Sequence, residues 1–145
     1  APQQNPVTPP TTIRTTRVAR VRRVGPLRGL NAAPAVAALI TARASGHCEI
    51  MAPACTYTQT SIVSRRRGGA RSPLSSPADG IAACSNCIEL IEHTALPVAL
   101  DLGYLVDPRS CTSSAALWWR QRHWVHLDTQ GHLRPAGTAL MTPTA

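Results

Sequence analysis

The chain has 145 residues and a formal net charge of +8, with fifteen basic residues, all arginine, against seven acids. Thirteen prolines, nine glycines, no Phe and only five aromatic residues leave material for one small domain plus tails. The longest apolar run, around Ala35–Ile40, is far too short to span a bilayer, which excludes a helical membrane protein.

A small core short of large side chains is expected to need a metal or disulfides for net stability. The N-terminus lacks the apolar h-region of a signal peptide, although the Ala1-Pro2 start leaves a processed precursor open. The exclusive use of Arg follows from coding bias, the favoured cause, or from selection for planar phosphate contacts. Residues 1–71 hold eleven Arg against Glu49 alone, whereas residues 72–145 hold four Arg against six acids. Such a lopsided chain points to a polyanionic partner.

Residues 1–30 are expected to form a flexible basic N-terminal arm, 31–135 a folded domain and 136–145 a loose C-terminal tail. Residues 1–12 (APQQNPVTPPTT) have too little to bury to order themselves. In IRTTRVARVRRV, Arg14, Arg17, Arg20 and Arg23 recur every third residue. Two main readings fit: a solvated basic arm, or one that orders on nucleic acid. A transit-peptide reading also fits the absence of acids.

Asn31 is expected to cap a helix over Ala32–Ser45, with Pro34 in its first turn and Gly46 as its stop. Val36, Leu39 and Ile40 would form its apolar face. Cys48 and Cys55 follow in GHCEIMAPAC. Thr56–Val63 is β-branched and reads as a strand. It runs into the loop SRRRGG (64–69) and the turn-rich Arg71–Gly80.

Cys84 and Cys87, spaced C-x-x-C, open a helix from Asn86 to about Thr94. Two turns that each present two thiolates suit a tetrahedral structural Zn²⁺, although the first pair is spaced more widely than usual. Five cysteines with Cys111 left over favour a reducing, cytoplasmic compartment and zinc over a disulfide framework. Pro97–Leu102 reads as a short helix stopped at Gly103. Leu117–Arg120 and His123–Leu127 are expected to pair as strands, followed by a turn over Asp128–Gly131.

The ordered set Cys48-Glu49-Ile50, Ser61–Arg65, Arg66-Arg67-Gly68-Gly69, Ser76–Gly80, Cys84, Cys87-Ile88, Ile91-Glu92-His93, Gly103–Val106 and Trp124–Asp128 resembles small HNH-type nucleases of actinobacteria and their phages. The likeness covers about residues 33–135, and its specificity lies in the order of the pieces. It implies an α+β class: a small ββα-metal, treble-clef-like zinc domain. It also implies Cys48, Cys55, Cys84 and Cys87 as zinc ligands, nucleic acid (DNA in the first instance) as partner, and a bacterial or phage setting.

The departures fall on the chemistry. The family's His-His pair, a metal ligand and the general base, reads Val63 and Ser64 here. Its base-orienting Asn reads Asp79, and its metal-binding His reads Ile88. Valine cannot bind a metal, and serine is no base near neutral pH. The resemblance therefore implies a retained scaffold without standard HNH catalysis.

Arg65, Arg66, Arg67 and Arg71 are the candidate phosphate contacts, since guanidinium forks match phosphate oxygens and the adjacent glycines allow close approach. Trp118, Trp119 and Trp124 can stack on bases or fill the core. Glu89 and His93, spaced i, i+4, can share a cleft or form an exposed polar face. His47 is a candidate substitute ligand. Three functions stay open: a zinc-structured nucleic-acid binder, a divalent-metal nuclease built on Asp79, Glu89 or His93, and a structural part of a nucleoprotein assembly such as a phage particle or a ribosome.

Overall fold

The computed structural model describes residues 21–27, 32–66 and 74–136. Helix α1, Pro34–Ala44, is alanine-rich, has Pro in its first turn and starts from Ala33 without a side-chain cap. The expected cap, Asn31, lies outside the described residues. Ser45 takes the left-handed conformation that ends the helix, one residue before the expected Gly46. The face turned inward centres on Ile40 and Ala44, with Val36 alongside, while Leu39 stays 40% exposed.

Strands β1 (Ser61–Ser64) and β2 (Gly80–Ala83) pair antiparallel, with Ile62 opposite Ala82 and Val63 opposite Ile81. Alternation divides this ribbon cleanly. Val63, Ile81 and Ala83 enter the main core, while Ile62 and Ala82 meet Ile40, Ala44 and Leu74 beneath α1. Strand β2 is buried along its whole length; its large Ile81 fills the main core, while at Gly80 a Cβ would stand 2.7 Å from Leu74 Cδ1. The expected strand from Thr56 begins only at Ser61. The preceding residues turn sharply, with Tyr57 at φ +66° and Thr58 bridged to His47.

Helix α2 (Ser85–Glu92) follows β2 directly, and α3 (Leu96–Leu102) follows α2. Gly103 closes α3 at φ +80°, where a Cβ would stand 2.0 Å from the Ala116 carbonyl oxygen, so only glycine fits. Strands β3 (Leu117–Trp119), β4 (His123–Leu127) and β5 (Leu133–Pro135) form a second antiparallel sheet in the order β3-β4-β5. Its β3–β4 turn places Arg120 and Gln121 at positive φ. Gly131, at φ +91°, brings the β4–β5 turn against Leu39 of α1. No helix of the described residues is long and apolar enough to cross a membrane.

Val21–Leu27, expected within the flexible arm, is instead anchored. Val24 is 3% exposed, its N–H donates to the Thr94 carbonyl, Gly25 N–H donates to Glu92, and Leu96 N–H donates back to Arg22. The periodic arginines masked this role, because the anchoring runs through backbone bonds and one buried valine. The remainder of the arm and the tail beyond residue 136 lie outside the described residues.

Candidate metal centre

The loop after α1 and the start of α2 carry the two cysteine pairs to one place. Cys84 is the N-cap of α2, and its Sγ accepts from Cys87 N–H at 3.4 Å. In the facing loop, Cys48 Sγ accepts from Ile50 N–H at 3.4 Å and Cys55 Sγ from Tyr57 N–H at 3.2 Å. Left-handed residues Met51, Ala54 and Tyr57 fold this loop back on itself, which is how a gap wider than C-x-x-C still aims two sulfurs together.

The four sulfurs lie within 4.8 Å of one another. Cys48, Cys84 and Cys87 are buried and Cys55 is half-buried, and all are free thiols. A tetrahedron of metal–sulfur bonds of about 2.3 Å has edges of about 3.8 Å. Cys55 Sγ and Cys84 Sγ stand 3.7 Å apart, already the length of one such edge, and the 4.8 Å limit on the whole set leaves the other sulfurs close to it.

The electrostatics favour the same occupant. Burial pushes the Cys84 thiol up, but hydrogen bonds from Thr56 and Cys87 outweigh it and hold the group at about 6. Burial pushes Cys87 and Cys55 up, and neighbouring sulfurs add to the rise. Cys55, Cys84 and Cys87 cannot readily all ionise alone, because each thiolate opposes the next. A bound cation removes that conflict and releases protons as it binds.

A polar shell missed at the sequence level holds the first pair in place. Glu49, 0% exposed, accepts from Arg43 through both carboxylate oxygens, from Ala82 N–H at 2.9 Å and from Trp119 Nε1 at 3.0 Å. Arg120 lies over the Trp119 ring at 4.1 Å and donates to the carbonyls of Cys48 and Ala44. Gln121 Nε2 donates to Ile50 O at 3.0 Å. The β3–β4 turn thus clamps the cysteine loop from a distance of seventy residues. The available signal was Glu49 itself, the lone acid among eleven arginines.

The candidate phosphate contacts separate. Arg65 is 0% exposed: its Nε donates to Gly103 O, Nη1 to Ala78 O and Thr112 O, and Nη2 to Ala115 O. Burial, and then the nearby Arg43 charge, lowers its pKa to about 10, so it stays protonated near neutral pH. Expected at a phosphate interface, Arg65 is instead an internal strut, and its donors are already committed to carbonyls. Arg66 is partly buried and donates to Asp107 O at 2.8 Å. Arg67 and Arg71 lie outside the described residues.

At the positions the HNH resemblance assigns to catalysis, Val63 is core and Ile88 packs against the core. Ser64 Oγ accepts from Arg66 N–H. Asp79 closes a capping box with Ser76 and accepts from the Thr112 hydroxyl at 2.6 Å. Glu89 and His93 border a shallow groove of about 320 Å³ with Asn86 and Leu90. His93 is exposed, its Nδ1 meeting the Glu89 backbone carbonyl. His47 is exposed and stands outside the sulfur cluster, and Cys111 is an exposed thiol. Among the described residues, the four cysteines are the one group of three or more potential ligand side chains gathered for a metal ion.

No protein-family model, curated protein or solved structure matches this chain. The chain is therefore described by its geometry: a mixed helix and sheet domain with small sheets and a four-cysteine site able to hold a metal.

Proposed function

We propose that this protein is a zinc-structured, HNH-like nucleic-acid-binding domain without standard HNH catalysis. One observation carries the reading. Two antiparallel strands lead straight into a helix whose first turn presents Cys84 and Cys87 to Cys48 and Cys55, while Val63 and Ile88, which the sequence resemblance aligns with the family's metal ligands, pack in and against the core. Zinc is the matching ion, because four sulfur donors in a closed tetrahedron suit a structural site. Cys48, Cys55, Cys84 and Cys87 would hold it, and its contribution is folding free energy. With all four positions taken by sulfur, the ion has no open place for water or phosphate.

Nucleic acid is supported by charge. Arg43 is cancelled by Glu49 inside the domain and Arg65 is buried, yet the remaining arginines outnumber the remaining acids about two to one. Binding is expected to be sequence-tolerant and to weaken steeply as salt rises, because phosphate contacts release counterions. A duplex titration over increasing salt tests this, and a flat response contradicts it. Supercoiled plasmid is expected to stay intact with Mg²⁺, Mn²⁺, Ni²⁺ or Zn²⁺. Metal-dependent nicking by the folded protein would instead support a nuclease of altered chemistry.

A further inference from the structure

We infer that the outward face of the β3–β4–β5 sheet is a stacking surface for the unpaired bases of a single-stranded nucleic acid. This rests on the nucleic-acid reading above and moves the contact surface away from Arg65. Alternation sorts the strands into two faces. Leu117, Val125 and Leu127 point into the main core, and Trp119 goes with them to bond the buried Glu49. The intervening side chains therefore share the other face. Trp118 lies opposite Trp124, and His126 opposite Arg134. The two indoles touch, with ring centroids 5.3 Å apart at 50°, and neither is fully buried.

One fact sets this face apart from ordinary sheet surface: the charge around it is basic. Residues 117–136 hold three Arg and three His against one acid, Asp128, although the C-terminal half as a whole is slightly anionic, and of these only Arg120 is turned inward, to the Cys48 and Ala44 carbonyls. Asp128 is already engaged by the N–H groups of Gln130 and His132 and by Arg134 Nε at 3.0 Å. The Arg134 side chain remains 69% exposed, and Arg122 and His123 at the β3–β4 end of the sheet are exposed too. Trp119 Nε1 is bonded to Glu49, whereas Trp124 Nε1 and His126 Nδ1 are buried without a hydrogen-bond partner among the described residues, so the face offers a ligand its half-buried ring surface and not these nitrogens.

Half-buried indoles beside exposed guanidinium groups match a ligand made of π-faces strung on phosphates. A duplex hides its base faces within its own stack, so the committed occupant is a single strand.

The test uses the full-length protein. A labelled oligothymidylate, an oligoadenylate and a duplex of the same length are titrated by anisotropy, with tryptophan emission read in parallel. The expected results are tighter binding of the single strands than of the duplex, and quenching of tryptophan emission. Trp118→Leu is expected to weaken binding roughly tenfold, with Trp118→Phe recovering most of it. Arg134→Gln is expected to weaken binding several-fold and reduce the salt slope by about one.

Circular dichroism confirms that each variant is folded. Should Trp118→Leu fail to fold, Arg134→Gln and the quenching of tryptophan emission in the unaltered protein carry the test. Single-strand binding that neither a folded Trp118→Leu variant nor Arg134→Gln weakens, or that leaves tryptophan emission unquenched, overturns this surface while leaving nucleic-acid binding intact. Preference for duplex overturns it in the same way. Absence of binding to all three probes overturns this surface and the proposed function together.

Discussion

Arg43 and Glu49 form a two-pronged ion pair shut off from solvent, with Nε–Oε2 at 2.8 Å, Nη2–Oε1 at 2.7 Å and side chains 1% and 0% exposed. The pair joins α1 to the loop that starts the metal site. Its spare capacity is used: Arg43 also donates to the carbonyls of Pro77 and Gly80, and Glu49 accepts from β2 and from Trp119. Desolvating two charges is costly, and these surrounding bonds offset that cost. Removing one partner strands the other.

Glu49→Ala is therefore expected to destabilise the domain by about 3–5 kcal/mol, a large share of the 5–15 kcal/mol that typical domains possess. Urea denaturation followed by circular dichroism measures it. A loss below about 1 kcal/mol, the range of exposed pairs, would contradict the burial described.

Arg65 leads to a prediction opposite in kind to the one its sequence context suggests. The guanidinium ties the end of β1 to Gly103 after α3 and to the segment before β3. Arg65→Met leaves buried carbonyls without donors and should cost about 3 kcal/mol or more. Arg65→Lys should rescue little, because an ammonium lacks the planar fork. In any folded Arg65 variant, the salt slope of nucleic-acid binding should match that of the unaltered protein. A slope reduced by about one would return Arg65 to the phosphate interface.

How far the sequence discloses this structure depends on what kind of contact does the work. The helices α1, α2 and α3 were legible from the Pro in the first turn of α1 and α3, the glycines that follow those two helices and the C-x-x-C that opens α2. The β3–β4 pair was legible from its aromatic and branched residues. Strand β2 was not, since Gly-Ile-Ala-Ala is buried throughout and carries no periodic signal. Strand β5, only Leu133–Pro135, is too short to announce itself. The four cysteines stood out by spacing, and folding brings them together. The arginines did not sort themselves. Composition counts charges, but only the fold shows that Arg43, Arg65 and Arg120 spend their donors on internal oxygens.

Asp128 supplies the pH dependence. Backbone N–H donation from His132 is the main cause, with Gln130 N–H and Arg134 adding to it, of a pKa lowered from 3.8 to about 2. A carboxylate depressed on folding stabilises the native state fully above its unfolded pKa, and that contribution disappears as pH falls through the folded value. The β4–β5 turn should thus lose this support between about pH 4 and pH 2. Thermal midpoints of the unaltered protein and Asp128→Asn should differ near pH 6 and converge near pH 2. A gap that persists at the acid end contradicts the assignment.

The metal content of the purified, folded chain, read by elemental mass spectrometry beside circular dichroism, tests the central claim most directly. The expected result is one zinc ion per chain, with Cys48→Ser or Cys87→Ser abolishing retention and a strong chelator unfolding the domain, because site and core form together. A chain that keeps its cooperative fold with no metal and four free thiols, or with those cysteines joined as disulfides, would contradict the account.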